Sequence, residues 1–325
     1  MKLLITGGSG FIGTNLVARM HRLGAQVQSL DVRPPRNPGQ AAFWKRVDIL
    51  DAPALSEAVG EFGPTHVVHL AARTDLHGRG VADYRANYDG VTNLIQALAR
   101  LQQSPRTVYA SSRLVFRIGH TPRHDYDYDP STPYGESKIL GEQIIRSEAG
   151  AGGAWTIARP TSIWGPWFAT PYRDFFDLVA RGRYVNPSGH DVFKSFGYVA
   201  NTVYEIQKLL EENTSTVAER VFWLTDYPPT LVSEWAETVA DLVGARRPRT
   251  APMWALRTAA SIGDALRTTG AWKNPPLTSF RLNNLITPMV YDTTALESIV
   301  GPLPYTMDQG VQRTVEWLKS QQLGR

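Results

Sequence analysis

A tyrosine and a lysine four residues apart are the side chains of this sequence best suited to chemistry. Tyr134 and Lys138 stand at the two ends of the segment Tyr-Gly-Glu-Ser-Lys. On a helix, residues at this spacing lie on one face. An ammonium group beside a phenol favours the phenolate and lowers the pKa of the tyrosine, which would make Tyr134 a general base near neutral pH. The pair therefore predicts acid–base catalysis.

A glycine-rich loop near the start of the chain has the spacing of a phosphate-binding turn. Gly7 and Gly10 lie between a predicted strand at Lys2–Thr6 and a predicted helix at Ile12–Leu23, and Gly13 is in the first turn of that helix. Glycine lets the backbone turn sharply and approach the pyrophosphate of a dinucleotide, whose charge then sits at the N-terminus of the helix. This context predicts a dinucleotide cofactor.

An acidic residue ends the second predicted strand, Gln26–Asp31. Asp31 follows the glycines at about the ~20-residue separation that is typical of a ribose-binding carboxylate. Such a carboxylate accepts hydrogen bonds from the adenosine ribose diol and repels a 2′-phosphate, which favours NAD over NADP. Arg33 is a nearby cation that would weaken this preference.

Strands and helices alternate through the first half of the chain. The sequence predicts strands at Lys2–Thr6, Gln26–Asp31, His66–Leu70, Thr107–Ser111 and Trp155–Arg159, and helices at Ile12–Leu23 and Tyr88–Leu101. This alternation predicts an α/β fold with a doubly wound parallel sheet of the Rossmann type.

A change of pattern after Pro160 indicates a second, smaller domain of mixed α/β structure. From there the sequence becomes irregular and rich in Trp, Pro and Gly. We expect residues 1–160 and 192–222 to form the NAD-binding domain. Residues 161–191 and 223–325 are expected to form the substrate-binding domain. The substrate would then lie in a cleft at the carboxyl ends of the parallel strands.

The composition is that of a globular protein and excludes several classes of function. Of the 325 residues, 42% are hydrophobic and 20% are charged. The net charge of +4 includes no run of Lys or Arg, so no nucleic-acid partner is expected. The absence of cysteine excludes disulfides, thiolate catalysis and Cys-ligated zinc. No apolar run approaches the ~20 residues that cross a bilayer, so we expect no membrane span and a cytoplasmic location.

One later segment is compatible with two environments. Trp254–Leu266 is apolar on one helical face, with Arg257 and Asp264 off that face. Such a helix lies either on a membrane surface or against a protein core. We favour the core-facing interpretation because it is the more common of the two.

A metal site is not expected. Asp125 to Asp129, together with Glu136, nearly reproduces a calcium-binding loop, but Pro130 occupies the position where that loop requires glycine. His66 and His69 would point to opposite faces of their predicted strand, so they would not share a metal ion.

Several further motifs follow one another in order along the chain. They are Val47-Asp48-Ile49, His69-Leu70-Ala71-Ala72, Asn87 with Gly90, Tyr109-Ala110-Ser111-Ser112, and the segment from Arg159 to Pro166. Together with the glycine loop and the Tyr134–Lys138 pair, they resemble the extended short-chain dehydrogenases/reductases. Within that superfamily the chain is similar to the NAD-dependent epimerase/dehydratase family, which acts on nucleotide sugars. The resemblance covers nearly the whole sequence.

The resemblance implies a catalytic set and a cofactor site. Tyr134 would take a proton from a substrate hydroxyl, Ser112 would hydrogen-bond the reacting oxygen, and Lys138 would hold the nicotinamide ribose. The implied NAD-binding residues are Gly7, Gly10, Phe11, Ile12, Gly13, Asp31, Asp48, Ile49, Leu70, Ala71, Ala72, Asn87, Ser111, Tyr134, Lys138 and Pro160.

Departures from the family pattern narrow the reaction. Arg113 and Leu114 follow Ser112 where the sugar 4,6-dehydratases have an Asp-Glu pair, so a dehydratase is disfavoured. The leading hypothesis is an NAD-dependent epimerase of a nucleotide sugar, acting through a transient keto intermediate. The alternative is an NAD-dependent dehydrogenase or reductase of a sugar or sterol-like alcohol, because the Pro275 to Thr278 segment resembles hydroxysteroid-type dehydrogenases. The intact catalytic set disfavours a non-catalytic dinucleotide sensor.

The substrate side of the site is less determined than the cofactor side. The candidate substrate-binding residues are Arg113, Ser162, Trp164, Lys194 and Arg281. Ser162 stands where the family has Asn, so the sugar preference does not carry over. The resemblance also implies a homodimer through the helices that include Tyr88–Leu101 and Tyr134–Arg146.

Overall fold

The computed structural model describes residues 1–272 and 275–323. Its strands are β1 (Lys2–Thr6), β2 (Gln26–Asp31), β3 (Trp44–Arg46), β4 (His66–His69), β5 (Arg106–Ala110), β6 (Trp155–Pro160), β7 (Ser162–Trp164), β8 (Val185–Pro187), β9 (Phe193–Lys194), β10 (Phe196–Tyr198), β11 (Arg220–Leu224), β12 (Thr230–Leu231) and β13 (Arg249–Ala251). Its α-helices are α1 (Phe11–Arg22), α2 (Ala52–Phe62), α3 (Asp89–Leu98), α4 (Pro133–Glu148), α5 (Tyr172–Ala180), α6 (Val199–Glu211), α7 (Thr214–Val217), α8 (Val232–Val243), α9 (Met253–Thr268), α10 (Ser279–Ile286), α11 (Thr294–Val300) and α12 (Met307–Leu323). Short 3₁₀ helices lie at Pro38–Phe43, Val81–Asn87, Arg113–Val115 and Ala149–Gly152.

A seven-stranded sheet combines six strands from the first half of the chain with β11. Its strand order is β11-β6-β5-β4-β1-β2-β3, and its neighbouring strands are parallel. The direction of winding reverses between β1 and β4, and such a switch point is where doubly wound sheets bind ligands. The predicted α/β fold with a doubly wound parallel sheet is confirmed.

Both faces of this sheet are covered by helices, because its strands bury side chains on both sides. Leu4 of β1 packs into a hydrophobic cluster with Leu94 of α3. Its neighbours Leu3 and Ile5 pack into a second cluster, with Leu16 of α1. Successive side chains of a strand point to opposite faces, so the two clusters lie on the two sides of the sheet. Helices pack on both faces of the sheet. Because its strands are parallel, their carboxyl ends lie along one edge of the sheet.

The chain divides into two compact units whose bounds differ from the predicted domains. The first comprises Met1–Trp167, Gly197–Tyr227 and Asp292–Tyr305, and the second comprises Phe168–Phe196, Pro228–Tyr291 and Thr306–Arg325. Residues 292–305 belong to the first unit, because Leu296 and Val300 of α11 pack into the cluster that contains Leu3 and Ile5. The assignment of one unit to NAD and the other to substrate stays a prediction.

The second unit combines short strand pairs with helices around an aromatic core. β8 pairs with β13 in parallel, and β9 pairs with β12 in antiparallel orientation. Trp235 of α8 stacks on Phe175 with 4.2 Å between ring centroids, and it also contacts Phe176 and Phe196. This unit is the smaller of the two and has the mixed α/β character that the sequence predicts.

The helix predicted at Trp254–Leu266 forms as α9, but the core-facing interpretation of it is wrong. All sixteen of its residues are described, and the buried ones among them are Ala260 and Gly263. Trp254 is 73% exposed, and Ile262 is 56% exposed. None of the helices within the two described ranges is long and apolar enough to cross a membrane.

Candidate active site

The glycine loop lies at the switch point of the sheet, between β1 and α1. Gly7 has a φ of +75°, a backbone conformation that favours glycine, and it donates its N–H to the carbonyl of Leu30 at 2.7 Å. A Cβ on Gly7 would lie 2.5 Å from the backbone nitrogen of Ala71. A Cβ on Gly13 would lie 2.3 Å from the carbonyl oxygen of Gly7. The loop is a tightly packed turn that only glycine can form here.

Helix α1 begins directly after this loop. Gly10 is its N-cap, in an extended conformation with φ −73° and ψ 178°. Glycine has no side chain that could accept a hydrogen bond from the first turn. The backbone N–H groups at the start of the helix, at Phe11 and Ile12, therefore have no side-chain cap. The N-terminus is also the positive end of the helix dipole. Uncapped N–H groups at such a helix end bind phosphate groups in other proteins.

Asp31 ends β2 beside the glycine loop and is buried. The N–H of Ser9 donates to Oδ2 of Asp31 at 3.1 Å, and the N–H of Arg33 donates to Oδ1 at 3.0 Å. A carboxylate offers about four acceptor positions, so these two bonds leave capacity for a ribose diol. Asp31 thus holds the loop in place and retains the acceptors that its predicted role requires.

The turn after β4, Leu70 to Ala72, is tied to the end of β1. Leu70 donates its N–H to the carbonyl of Thr6 at 2.9 Å, and Ala71 donates its N–H to Oγ1 of Thr6 at 3.3 Å. The same hydroxyl hydrogen-bonds Nδ1 of His69 at 2.7 Å. Burial, together with the positive charge of Lys138, lowers the pKa of His69 to about 3, so the imidazole is neutral at physiological pH.

Two predicted cofactor residues lie between β3 and α2. Ile49 is buried against α3, where a Cβ on Gly90 would lie 2.5 Å from Cδ1 of Ile49. Asp48 is exposed, and its Oδ1 accepts the N–H of Leu50 at 2.9 Å. Asp48 therefore retains a carboxylate at the surface, as an adenine-side residue would.

Asn87 connects the loop after β4 to helix α4. Its Oδ1 accepts the N–H of Arg73 at 2.8 Å, and its Nδ2 donates to the carbonyl of Arg73 at 3.0 Å. The same Nδ2 donates to Oγ of Ser137 at 2.9 Å, and Ser137 donates to the carbonyl of Tyr134 at 2.7 Å. Asn87 thus fixes the position of the helix that carries the predicted base.

Tyr134 is the second residue of α4, whose start is encoded locally. Thr132 is the N-cap, and its Oγ1 accepts the N–H of Gly135 at 3.0 Å, while Pro133 occupies the first helical position. Tyr134 is buried, and burial raises its pKa to about 12 although Ser112 acts to lower it. The effect of the Lys138 ammonium group on this pKa stays a prediction.

Ser112 and Lys138 meet the end of β5 from two directions. Ser112 caps the 3₁₀ helix Arg113–Val115, with its Oγ accepting the N–H of Leu114 at 3.1 Å, so its own proton remains available for donation. Lys138 donates from Nζ to the carbonyl of Ala110, the last residue of β5, at 2.9 Å. Burial lowers the pKa of Lys138 to about 8, while the charge of Glu142 acts in the opposite direction. The structure brings the three predicted catalytic groups together.

Ser111 directly follows β5, and Pro160 ends the neighbouring strand β6, so both lie at the same edge of the sheet. Ser111 is buried and donates its N–H to the carbonyl of Ala158 at 2.7 Å, and Pro160 is the last residue of β6. Both predicted residues therefore lie on the carboxyl edge that carries the catalytic groups.

The sequence motifs do not predict a buried ion pair that lies on α4 and β6, close to the catalytic groups. Arg159 of β6 and Glu142 of α4 are both buried, and two hydrogen bonds of 2.7 and 2.8 Å join them. Tyr128 donates its hydroxyl to Glu142 at 2.7 Å. Burial acts to raise the pKa of Glu142, but the hydrogen bond and charge of Arg159 outweigh it and lower that pKa. The spacing of Glu142, one turn after Lys138 on the same face, is the signal that could have identified it.

The candidate substrate residues are divided between the two units. Arg113, Ser162 and Trp164 belong to the first unit and are buried. Nη1 of Arg113 has no hydrogen-bond partner among the described residues. Trp164 is fully enclosed, with its ring centroid 5.2 Å from that of Tyr198, so it packs in the core and does not line an open pocket.

Lys194 and Arg281 belong to the second unit, where each is engaged locally. Lys194 is buried and donates from Nζ to the carbonyl of Asn284. Arg281 is exposed and donates from Nη1 to the carbonyl of Pro275 at 2.9 Å. Their contribution to substrate binding stays a prediction.

Comparison with known protein families decides the classification. The family model described as "NAD dependent epimerase/dehydratase family" matches residues 3–213, a range that includes the glycine loop and the three predicted catalytic residues. The chain belongs to this family. The resemblance inferred from the ordered motifs is thereby confirmed, and the protein is an enzyme of the NAD-dependent epimerase/dehydratase type.

Curated relatives of this family member differ in the substrates that their names state. The chain is 24% identical over 323 residues to an N-acetyl-α-D-glucosaminyl-diphospho-ditrans,octacis-undecaprenol 4-epimerase of Escherichia coli O157:H7, with 97% of this chain and 94% of that enzyme covered. It is 29% identical over 267 residues to a 3β-hydroxysteroid dehydrogenase/Δ5→4-isomerase of Mycobacterium tuberculosis, with 76% and 71% covered.

Solved structures share the fold of this family member. The UDP-glucose 4-epimerase of Thermotoga maritima, solved with UDP-glucose, has a TM-score of 0.75 at 19% identity, with 99% of this chain and 100% of that chain covered. The UDP-glucose 4-epimerase of Thermus thermophilus, solved with NAD, has a TM-score of 0.71 at 20% identity, with 98% and 99% covered. At these identities the likeness establishes the fold.

Proposed function

We propose that this family member is an NAD-dependent epimerase of a nucleotide sugar, which oxidises and then reduces one carbon through a transient keto intermediate. The observation that carries the proposal is the convergence of Ser112, Tyr134 and Lys138 at the carboxyl end of β5. Sequence relatives and fold neighbours that are named as epimerases support it.

The residues around the glycine loop fit the dinucleotide that the family name implies. Neighbouring backbone occupies the space that a Cβ of Gly7 or Gly13 would need, so the loop presents bare backbone at the N-terminus of α1. The loop would hold the pyrophosphate, Asp31 the adenosine ribose, and Leu70 to Ala72 the nicotinamide half. When bound, NAD accepts a hydride from the substrate carbon and returns it to that carbon.

Proton transfer at the substrate oxygen is assigned to Tyr134. With a pKa of about 12, its phenol holds a proton at neutral pH and is ready to donate it during reduction. Oxidation requires the phenolate, which the site must stabilise. The hydroxyl of Ser112 already acts to lower this pKa, and we assign the rest of the stabilisation to the ammonium group of Lys138. The hydroxyl of Ser112 also donates a hydrogen bond to the reacting oxygen.

An anionic substrate is supported by Arg113. A guanidinium group stays charged at any physiological pH, and burying such a charge without a partner is costly. Arg113 is buried directly after Ser112 in the chain, and its Nη1 lacks a partner among the described residues. A phosphate or carboxylate group on the substrate would satisfy it, and a diphosphate-linked sugar carries such a group.

A panel of sugar substrates tests this proposal. The purified protein is incubated without added cofactor with UDP-glucose, UDP-glucuronic acid and N-acetylglucosaminyl-diphospho-undecaprenol, and the products are separated and weighed by mass spectrometry. A product of unchanged mass and new retention time supports epimerisation with resident NAD. Conversion that occurs only after NAD is added, with NADH formed, would contradict it.

The second candidate function is a net dehydrogenase or reductase of a sterol-like or sugar alcohol. The 29% identity to a hydroxysteroid dehydrogenase favours it. The same assay with added NAD and a 3β-hydroxysteroid separates the two functions, because net oxidation produces one NADH for each ketone and epimerisation produces none.

The proposal extends to assembly and location, with a homodimer through α3 and α4 in the cytoplasm. The exposed apolar side chain of Leu140 on α4 supports such an interface. Sedimentation equilibrium of the wild type and of Leu140→Glu measures it. A wild-type monomer would contradict the dimer, and a dimer of wild type that the substitution dissociates would support it.

A further inference from the structure

The outer face of α9 is apolar and uncovered. We define this face by Trp254, Thr258, Ser261, Ile262 and Ala265, which recur at helical spacing and are all exposed. Trp254 has the largest exposed fraction among the large hydrophobic side chains of the described residues. Leaving these aromatic and aliphatic side chains in water forgoes their burial energy, and exposed apolar side chains grouped on one helical face indicate a binding surface.

The polar side chains of the same face are adapted to an apolar environment. Thr258 donates its hydroxyl to the carbonyl of Trp254, and Ser261 donates its hydroxyl to the carbonyl of Arg257, both at 3.0 Å. At the end of the helix, Thr268 donates to the carbonyl of Asp264 at 2.9 Å. A hydroxyl that bonds its own helix needs no water to satisfy its proton, so it can enter an apolar medium at low cost.

Aromatic side chains mark both ends of the helix. Trp254 lies in the first turn, and Trp272, four residues beyond the last helical residue, is 50% exposed. Phe280, at the start of α10, is 47% exposed. At 1.5 Å per residue, the two tryptophans are separated along the chain by a helix of about 25 Å. Tryptophan side chains are enriched in the interface between a bilayer and water, and interfacial helices carry them on the apolar face.

The sequence on both sides of this helix is basic, although one of its cations, Arg247, is paired with Asp241 at 2.7 Å and with Glu237 at 3.6 Å. Residues 246–286 contain seven of the Lys and Arg residues and one acidic residue, Asp264, so this stretch exceeds the net charge of +4 of the whole chain. The carboxylate of Asp264 accepts the N–H of Ser279 at 3.1 Å. Arg257, Arg267 and Arg281 are exposed. The surface around α9 is therefore basic as well as apolar.

A cleft between α9 and α10 is lined by both basic and apolar side chains. It has a volume of about 590 Å³, and its lining includes Arg257, Phe280, Leu282 and Ile286. A cation beside aliphatic and aromatic side chains matches a phosphate group attached to a hydrocarbon chain.

We propose that the outer face of α9 binds the surface of an anionic phospholipid bilayer. The apolar side chains enter the region between headgroups and acyl chains, and Arg257, which flanks the outer face, and Arg281 of α10 contact lipid phosphates. The basic charge selects an anionic lipid surface over a second copy of this chain, because two copies facing each other through α9 would bring their arginines together. The proposal is independent of the reaction that the active site performs.

Vesicle sedimentation tests the proposal. The full chain is mixed with vesicles of phosphatidylcholine alone and with vesicles of phosphatidylcholine and phosphatidylglycerol, and the bound fraction is measured at low and high salt. One variant carries Trp254→Ser with Ile262→Ser, and another carries Arg257→Glu with Arg281→Glu. The matched control carries Arg22→Glu with Leu23→Ser, which changes an exposed cation and an exposed leucine at the end of α1. Circular dichroism checks that each variant is folded.

We expect the wild type and the control to bind the phosphatidylglycerol vesicles and to be released by salt. Loss of each Arg near the surface weakens binding by about fivefold, so the charge variant is expected to lose at least about tenfold in affinity. The apolar variant should bind weakly to both kinds of vesicle. A wild type that does not sediment, or α9 variants that bind as well as the control, would overturn the proposal. So would a wild-type dimer that Trp254→Ser with Ile262→Ser dissociates, because a second copy would then cover the face.

Discussion

Two helices of equal length, α4 and α9, use their side chains in opposite ways. Each has sixteen residues. Helix α4 buries Ser137, Lys138 and Glu142, which are polar or charged, whereas α9 exposes Trp254 and Ile262. Burying a charged group is costly without a partner, and exposing an apolar one forgoes its burial energy. The buried polar groups of α4 therefore indicate a role in chemistry. The exposed apolar groups of α9 indicate a surface that binds a partner.

The largest effect on this comparison is expected from breaking the buried ion pair of α4. Glu142→Gln leaves the buried guanidinium of Arg159 without its main counter-charge, which should lower the free energy of unfolding by about 3–5 kcal/mol. Because the charge of Glu142 also acts to raise the pKa of Lys138, the substitution should move the limb of the pH–rate profile that belongs to Lys138 to lower pH. Urea unfolding and a pH–rate profile measure the two effects.

Glu211→Gln is the matched control for that variant. Glu211 lies on α6, pairs with Lys208 at 3.8 Å on the surface and accepts a hydrogen bond from Gln207 at 2.7 Å. A glutamine keeps an oxygen that accepts this bond, so the substitution should cost about 0–1 kcal/mol. Equal changes in the free energy of unfolding of the two variants would show that the buried pair contributes no more to stability than the surface pair.

A pH dependence of stability is expected from a second buried carboxyl group, Asp226. Burial raises its pKa from 3.8 to about 7, although a hydrogen bond from Asn201 acts in the opposite direction. Because the folded state holds the proton more tightly than the unfolded state, the stabilisation is complete below about pH 4 and is lost as the pH rises towards 7. The total is of order a few kcal/mol. Asp226→Asn should reduce the slope of the plot of unfolding free energy against pH, and the buried carboxyl group of Glu205, whose pKa is also raised by burial, supplies the remaining slope. An unchanged slope would contradict the assignment.

An intermediate effect is expected from adding one methyl group to the glycine loop. In Gly13→Ala the new Cβ meets the carbonyl of Gly7, so the loop must shift at a cost of about 1–3 kcal/mol, and the affinity for NAD should fall with it. Gly60→Ala is the control, because a Cβ on Gly60 of α2 meets nothing within 4 Å. Titration calorimetry with NAD compares them, and equal affinities would argue against the loop as the pyrophosphate site.

The smallest effect is expected on α9. Ile262→Ser should change the free energy of unfolding by less than about 0.5 kcal/mol, because this side chain packs little. Ile206→Ser on α6, at a fully buried position, should cost several times more. A large loss in Ile262→Ser would mean that the outer face of α9 is covered within the chain, and the contrast with α4 would disappear.

The sequence predicts those parts of the molecule whose structure is encoded locally. The bounds of β1 and β2 agree with the strands predicted from short apolar runs at Lys2–Thr6 and Gln26–Asp31. The pKa of Tyr134 and the pairing of Glu142 with Arg159 depend on burial by residues distant in sequence, so spacing alone gives no access to them. For α9 the periodicity is correct, but periodicity cannot tell whether an apolar face meets protein or another surface.

The most direct test of the central claim is the turnover of Tyr134→Phe on the substrate that the sugar panel identifies. The substitution removes one oxygen, and with it the group assigned to proton transfer. Tyr126→Phe, at an exposed position, is the control. We predict that Tyr134→Phe lowers kcat by about 10²- to 10⁴-fold while NAD still binds, and that the control keeps wild-type turnover. Turnover of Tyr134→Phe within a few-fold of the wild type would contradict the mechanism.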